Sequence, residues 1–474
     1  VELGAGNDKL TIADAVTATA TGQVGDVFDG GDGTDTIVMA STLANNITGT
    51  GVSVATKNIK NFEELTINNT LAADLDVTKI QETGITTVNL NPASGGAYSS
   101  ARSITFAAGD NILNLNAAVG SAKLTLVASG TGTADSVTFN RKEASTGNTD
   151  IFNGQEIETT GVETLTIHTA AGGKTTTNQT LGAITLGAST GGTTKLAVKG
   201  AATVDGTGVL KAHEYDFSGM TGAFIMGAAA ETLATGSTST TITGGSGNDT
   251  LIGDINQIQT INGGNGNDTI DGGSKADTIN GGAGNDVIGG TTAVGTSTGK
   301  DVVDGGAGKD TITLGGTALV TINGGDGDDT VKVAGNLTYG QSIKGGAGTD
   351  IIQITTDESA ADFSVVSEFE TLVLAGDITV DLADFGNNTF TTVTNDGAST
   401  TRTINVDGVV NETVCFKTDA LKAASSVDIK DNSGSSDSVS IKFSDTADQD
   451  FVKLLTIASV ETINIESDNA NATI

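Results

Sequence analysis

The sequence predicts an all-β chain, built around a parallel β-roll or β-solenoid. Three observations lead there. A nine-residue unit recurs in strict tandem: GGNGNDTID (Gly263–Asp271), GGSKADTIN (Gly272–Asn280) and GGAGNDVIG (Gly281–Gly289). Elsewhere, short segments alternate apolar and polar residues between Gly, Asn, Asp and Ser turns. They include Glu64–Asn68, Thr86–Asn91, Ile112–Asn116, Lys123–Val127 and Lys195–Val198. Helical periodicity is scarce, with Thr418–Ser425 (TDALKAAS) one short candidate.

The nonamer explains itself residue by residue. Further copies begin at Gly244, Gly305, Gly324, Gly345 and Gly30, with a degenerate one at Leu3 (LGAGNDKLT). The stretch Ser297–Val303 reads as a decayed copy. Glycines at positions one, two and four allow a sharp turn with its carbonyls pointing inward. Position six is Asp in all nine copies, and position eight is Ile, Leu or Val. Each nonamer is thus a turn followed by a short strand with one inward apolar side chain. Two nonamers make one coil. Copies at Gly244 and Gly263, Gly263 and Gly281, and Gly305 and Gly324 then lie above one another, with their Asp side chains stacked. Like carboxylates ~5 Å apart repel by a few kcal/mol. A divalent cation held by carboxylate and carbonyl oxygens relieves this, and hard oxygens in a flexible cage favour Ca²⁺ over Zn²⁺ or Mg²⁺.

Composition points the same way. The 474 residues carry 57 acidic against 23 basic side chains, a formal charge of −34. Of the acids, 41 are Asp and 16 Glu, a skew toward tight turns and cation ligation rather than helix. Such a polyanion repels nucleic acid. No apolar run is long enough for a helical membrane span. No charged stretch with an apolar core opens the sequence, so the general secretory route is not expected. The single cysteine, Cys415, forms no internal disulfide and reads as a buried small hydrophobe. His168 and His213 stand far apart, without a transition-metal motif, and read as structural or surface residues.

The pattern G-G-x-G-x-D-x-U-x resembles the calcium-binding RTX nonapeptide. That resemblance implies a parallel β-roll with Ca²⁺ between turns. One turn gives the carbonyls of positions two and four plus its Asp, and the next coil gives those of positions one and three plus its Asp. Carried over, one site uses Gly245, Gly247, Asp249, Gly263, Asn265 and Asp268. A second uses Gly264, Gly266, Asp268, Gly281, Ala283 and Asp286. A third uses Gly306, Gly308, Asp310, Gly324, Asp326 and Asp329, and a fourth Gly325, Gly327, Asp329, Gly345, Ala347 and Asp350. The same pattern falls on Asp8, Gly31, Gly33, Asp35, Asp277, Gly282, Gly284, Gly305 and Ala307. Lys275 replaces a glycine in the Asp277 copy and places a cation at a cation turn.

A second motif recurs at long range: FEELTI (Phe62–Ile67), VETLTI (Val162–Ile167), FETLVL (Phe369–Leu374) and VETINI (Val460–Ile465). Its apolar positions alternate, so one face is buried while Glu and Thr face out or flank the strand start. Nonamers interspersed with these Thr- and Ala-rich strands resemble the calcium-dependent surface-layer proteins of Gram-negative bacteria. That group implies type I secretion through an uncleaved C-terminal signal and Ca²⁺-driven self-assembly into a two-dimensional lattice on the cell surface. It also implies anchoring to lipopolysaccharide or another surface glycan, here through a region outside this sequence, which opens inside a nonamer and reads as a fragment.

The sequence divides into a short nonamer segment (1–40), a Thr/Ala-rich β domain (41–240), the nonamer roll (241–355) and a C-terminal β domain (356–474). No nucleophile elbow, zincin motif or P-loop is found, so an enzyme is not expected. A surface-layer subunit leads; an RTX adhesin module and the secretion module of a larger RTX exoprotein are the alternatives.

Overall fold

The computed structural model describes residues 1–12, 27–42, 44, 59–80, 84–92, 97–116, 122–130, 132, 134–141, 152, 154–169, 178–187, 192–206, 208–227, 239–254, 256–290, 294, 299–316, 318–355, 362–375, 379–385, 388, 390, 392–395, 402–405, 412–417, 427–430, 438–444, 455–458 and 462–467. They form two compact units, Val1–Ile252 and Gly253–Ile474. Each is a parallel β-solenoid. Thr418–Ser425 lies outside the described residues, as do Ser297 and Thr298 of the decayed copy and Val460 and Glu461 of the fourth FETL-type motif.

In the first unit one ladder runs through Lys9–Thr11, Thr36–Met39, Glu64–Ile67, Thr87–Leu90, Asp110–Leu115, Ser136–Arg141, Thr164–Thr169, Lys195–Gly200, Glu214–Met220 and Ser239–Thr243, each parallel to the next. A second ladder includes Leu75–Asp76, Arg102–Ala107, Leu124–Ser129, Gln155–Thr160 and Gln179–Thr185. From Leu75 to Gly200 the chain alternates between the ladders, one strand in each per coil; Val204–Gly206 and Leu210–Lys211 then both join the second ladder before the chain returns to the first.

The strand period of two explains the core. In Thr164–Thr169 every second residue is buried. Parallel register then stacks equivalent residues, so Val137, Leu165, Leu196, Tyr215 and Ile242 form one buried column. Asparagines do the same on the polar face. Asn140 donates to Asn114 at 2.9 Å, and Asn114 to Asn89 at 2.7 Å. The scarce aromatics serve the core too, Phe217 stacking on Phe224 at 3.7 Å between ring centroids.

In the second unit the first ladder is Ile258–Asn265, Thr278–Ala283, Asp301–Ala307, Val320–Asp326, Ser342–Ala347 and Val366–Ser367. The second begins with Thr269–Asp271, Val287–Ile288, Thr311–Leu314, Thr330–Val333, Ile351–Ile354 and Thr371–Leu374. It continues through Thr392–Asn395, Glu412–Lys417, Ser438–Ser444 and Thr462–Ser467, with Cys415 in the Glu412–Lys417 strand. A third ladder joins Thr379–Asp381, Arg402–Asn405, Val427–Lys430 and Leu455–Ala458.

Position eight of the nonamer fills the core as its chemistry requires. Ile270, Ile288, Ile312, Val331 and Ile352 stack in one column and are fully buried. Each such side chain contributes roughly 1.5–3 kcal/mol on burial. The remaining positions of the repeat hold turns, and those turns carry the site.

Candidate metal centre

Position six of each nonamer ends a turn immediately before a strand. Its side chain does not point to solvent. It lies along the stack and accepts the backbone N–H of the equivalent residue one coil earlier. Asp268 N donates to Asp286 Oδ1 at 2.7 Å, Asp286 N to Asp310 Oδ1 at 2.8 Å, Asp310 N to Asp329 Oδ1 at 2.8 Å, and Asp329 N to Asp350 Oδ1 at 2.8 Å. All five aspartates are buried. The bond takes one carboxylate oxygen. The other, Oδ2 of Asp286, Asp310, Asp329 and Asp350, is buried without a hydrogen-bond partner among the described residues. A buried anionic oxygen left in that state is costly, so the turn is incomplete by itself.

The glycines shape what lies beside that oxygen. The place a Cβ would take on Gly305 lies 2.2 Å from the Gly324 carbonyl oxygen and 2.6 Å from Asp310 Oδ2. Gly281 and Gly324 show the same pair of oxygens, at 2.3 and 2.5 Å and at 2.2 and 2.7 Å. The two oxygens thus lie within about 5 Å of each other, a span that one Ca²⁺ at 2.3–2.6 Å from each can bridge. A methyl group would fill the space. Carbonyls of positions two and four point into the same gap between coils, Gly282 O toward Gly306 and Gly284 O toward Gly308. Position three of the later coil also contributes its oxygen there, already accepting one N–H: Gly284 N donates to Ala307 O at 2.8 Å. Among the described residues no three His, Cys, Asp or Glu side chains converge, so a cation in these gaps relies on main-chain oxygens as well. The donor set is all oxygen, partly anionic and buried, and fits a hard divalent cation.

The structure brings together three of the sets read from the sequence. Gly266 N bonds Ala283 O at 2.8 Å in the set that joins Asp268 and Asp286. Gly308 N bonds Asp326 O, and Gly327 N bonds Ala347 O, both at 2.7 Å, in the sets of Asp310 with Asp329 and Asp329 with Asp350. In the first set, Gly245, Gly247 and Asp249 belong to the first unit and Gly263, Asn265 and Asp268 to the second. Both oxygens of Asp249 already accept N–H groups, from Phe224 at 2.6 Å and Gly245 at 2.7 Å. Near the start of the chain Asp8 N donates to Asp35 Oδ1 at 2.7 Å, and Gly31 and Gly33 stack on Gly4 and Gly6.

Sequence reasoning missed one pairing. Gly282, Ala283 and Asp286 stack directly under Gly306, Ala307 and Asp310, although the two aspartates are 24 residues apart. The extra residues fall in the opposite half-coil, where the decayed Ser297 copy lies. That decay was the available signal. At the irregular copy, Asp277 Oδ1 accepts Gln259 N at 2.8 Å and Asp277 N donates to Asp301 Oδ1 at 3.0 Å. No neighbouring carbonyl oxygen approaches the Gly272 cradle as closely as Asp277 itself among the described residues. Elsewhere the spine uses other chemistry: His213 Nδ1 accepts Thr194 N–H at 3.1 Å in the first unit.

Burial raises these carboxyl groups above the ordinary carboxylate range. Asp310, Asp329 and Asp350 are pushed up to about 6, chiefly by burial and then by neighbouring carboxylates. Asp277 is pushed to about 8, again mainly by burial, with Asp301 and Asp271 adding to it. A raised folded-state value means that protonation favours the fold. In calcium-stripped protein the contribution is complete below about pH 4 and is lost as pH rises through about 6 for Asp310, Asp329 and Asp350 and through about 8 for Asp277. Calcium-loaded protein shows the opposite slope in acid, because protons compete for its ligands. Thermal melts from pH 4 to pH 8 with and without calcium should therefore diverge as pH rises. Parallel curves would contradict the assignment of these carboxylates.

Stacked glycine turns, a spine of buried aspartates and a parallel coil define an RTX-type β-roll. The family model described as the RTX calcium-binding nonapeptide repeat (4 copies) matches residues 227–255, 260–291 and 296–318. Such repeats bind Ca²⁺, and proteins that carry them are typically secreted. Neither the curated proteins nor the solved structures gave a match. No helix among the described residues is long and apolar enough to cross a membrane.

Proposed function

We propose that the chain is a structural subunit of a bacterial surface layer that folds on Ca²⁺ and assembles with copies of itself. The observation that carries this reading is the column of buried aspartates, in which Asp286, Asp310, Asp329 and Asp350 each leave one oxygen for a cation. Where calcium is scarce, these carboxylates repel one another and the coils do not close. Where it is millimolar, weak extracellular-type sites fill and binding free energy becomes folding free energy. With one cysteine in the chain, a cation takes the stapling role that disulfides have elsewhere. Solenoids of alternating strands in both units suit a structural role, and we assign them no catalysis.

The test is calcium add-back to chelator-treated protein, followed by negative-stain electron microscopy and circular dichroism. Ordered sheets that appear together with β signal are expected. Refolding without any assembly would overturn the surface-layer reading in favour of a calcium-dependent binding module.

A further inference from the structure

We propose two cation sites that no pair of nonamers forms: one at Asp350 with Glu368 and Glu370, the other at Asp35 with Asn61 and Glu63. The proposal rests on the calcium reading above and extends it to the FETL-type motif. In both places a nonamer is followed, one coil later, by a turn of three residues: a residue with positive φ, a buried Phe, and a Glu. Asn61 has φ 51° and Glu368 φ 64°, the two non-glycine residues in that region among those described. Phe62 and Phe369 are buried and anchor the turn.

The glutamate stands where the next aspartate of the stack would be. Asp35 N donates to Glu63 Oε2, and Asp350 N to Glu370 Oε2, both at 2.8 Å. The extra methylene of Glu makes up for the shorter turn. The positive-φ residue supplies the missing carbonyl. The Cβ place on Gly345 lies 1.9 Å from Glu368 O and 2.8 Å from Asp350 Oδ2. On Gly30 it lies 2.0 Å from Asn61 O and 2.7 Å from Asp35 Oδ2. These are the spacings found between nonamers. Asp35 and Asp350 are 0% exposed, and the Oδ2 of each is buried without a hydrogen-bond partner. A left-handed conformation is unfavourable for a non-glycine residue. Its appearance at both turns fits a backbone held to aim one oxygen. Glu368 keeps its own side chain outside, paired with Lys344 Nζ at 2.9 Å. The ligand class is therefore a hard divalent cation held by an aspartate, a glutamate and main-chain oxygen.

A related turn, Gly161–Val162–Glu163, with Gly and Val in the first two places, serves as an internal control. Glu163 Oε2 accepts Asp135 N at 2.9 Å, as in the other two. But the nearest atoms to the Gly132 cradle all belong to Asp135. Among the described residues no carbonyl of the next coil completes that cradle at comparable range.

Native mass spectrometry of the full chain at saturating calcium counts ions directly. Glu63→Gln and Glu370→Gln retain an acceptor for the backbone N–H but lose the charge. Each is expected to hold one ion fewer than the unaltered chain, while Glu163→Gln holds the same number. Circular dichroism in calcium confirms that all three are folded. Unchanged counts in Glu63→Gln and Glu370→Gln overturn the proposal, and so does an equal loss in Glu163→Gln, since charge alone would then set the count. An unaltered chain that binds no calcium overturns the function reading itself, a result distinct from either.

Discussion

Stripping calcium at neutral pH should abolish most of the far-UV β signal of the chain, and restoring it should bring the signal back. The second unit alone buries Asp268, Asp286, Asp310, Asp329 and Asp350 in one column, successive members joined through N–H···Oδ1 bonds of 2.7–2.8 Å. Burying an ion without a partner costs several kcal/mol. A domain has a net stability of only about 5–15 kcal/mol to set against it. Four carboxylates with a buried oxygen left unpaired, those of Asp286, Asp310, Asp329 and Asp350, exceed that margin. Ligand binding adds RT ln(1 + [L]/Kd) for each site, so the melting temperature should climb with calcium concentration. Circular dichroism melts in chelator and across a calcium series measure this. A melting temperature indifferent to chelator would show that the turns are complete without a cation.

The second large effect is expected at Gly306. Its φ is +106°, and a Cβ there would lie 2.1 Å from the Gly282 carbonyl oxygen. Real Cβ atoms do not approach so closely, and both coils are clamped by ladder bonds on either side. Gly306→Ala should therefore cost about 3 kcal/mol or more, through strain and a forced opening of the inter-coil gap. Gly340→Ala is the matched comparison. Its φ of +94° brings the same conformational penalty, but its Cβ meets only the end of the Leu319 side chain at 3.1 Å. It should cost about 1–2 kcal/mol. Denaturant unfolding in calcium separates the two, and equal losses would show that steric closeness between coils does not matter. A reduced calcium count in Gly306→Ala would tie the loss to the cation gap.

Much of the second unit was legible because the nonamer fixes backbone and side chain together. Glycine marks the turn, Asp the stack and Ile the core, so Asp310, Asp329 and Ile312 could be placed from spacing. The stacking of Asp286 under Asp310 was hidden because a longer half-coil interrupts the period. The first unit was harder to read, and sequence could not tell a helix of strands from a sandwich there. Its coils vary in length, with 28 residues from Asp35 to Glu63 and 19 from Thr194 to His213. The residue before the strand also changes type, from Asp135 to Glu163 to Thr194 to His213. What persists is a side-chain acceptor pointing along the stack, a feature of position rather than of residue identity. For the same reason the Glu of VETL was expected to face out or flank the strand. It does flank the strand, yet Glu163 is buried and turned along the axis.

The spine also has a direction. In every bond of the column the carboxylate belongs to the later coil and the N–H to the earlier one. A stack cut between any two coils therefore has unlike ends. One presents amide donors, the other bare carboxylates. Two donor ends have nothing to exchange, and two carboxylate ends repel, so such a stack joins only head to tail. Coils added in chain order meet a template that accepts them, whereas an inverted coil meets its own charge. The order of the sequence is thereby written into the chemistry of the turns, which admit a new coil in one orientation only.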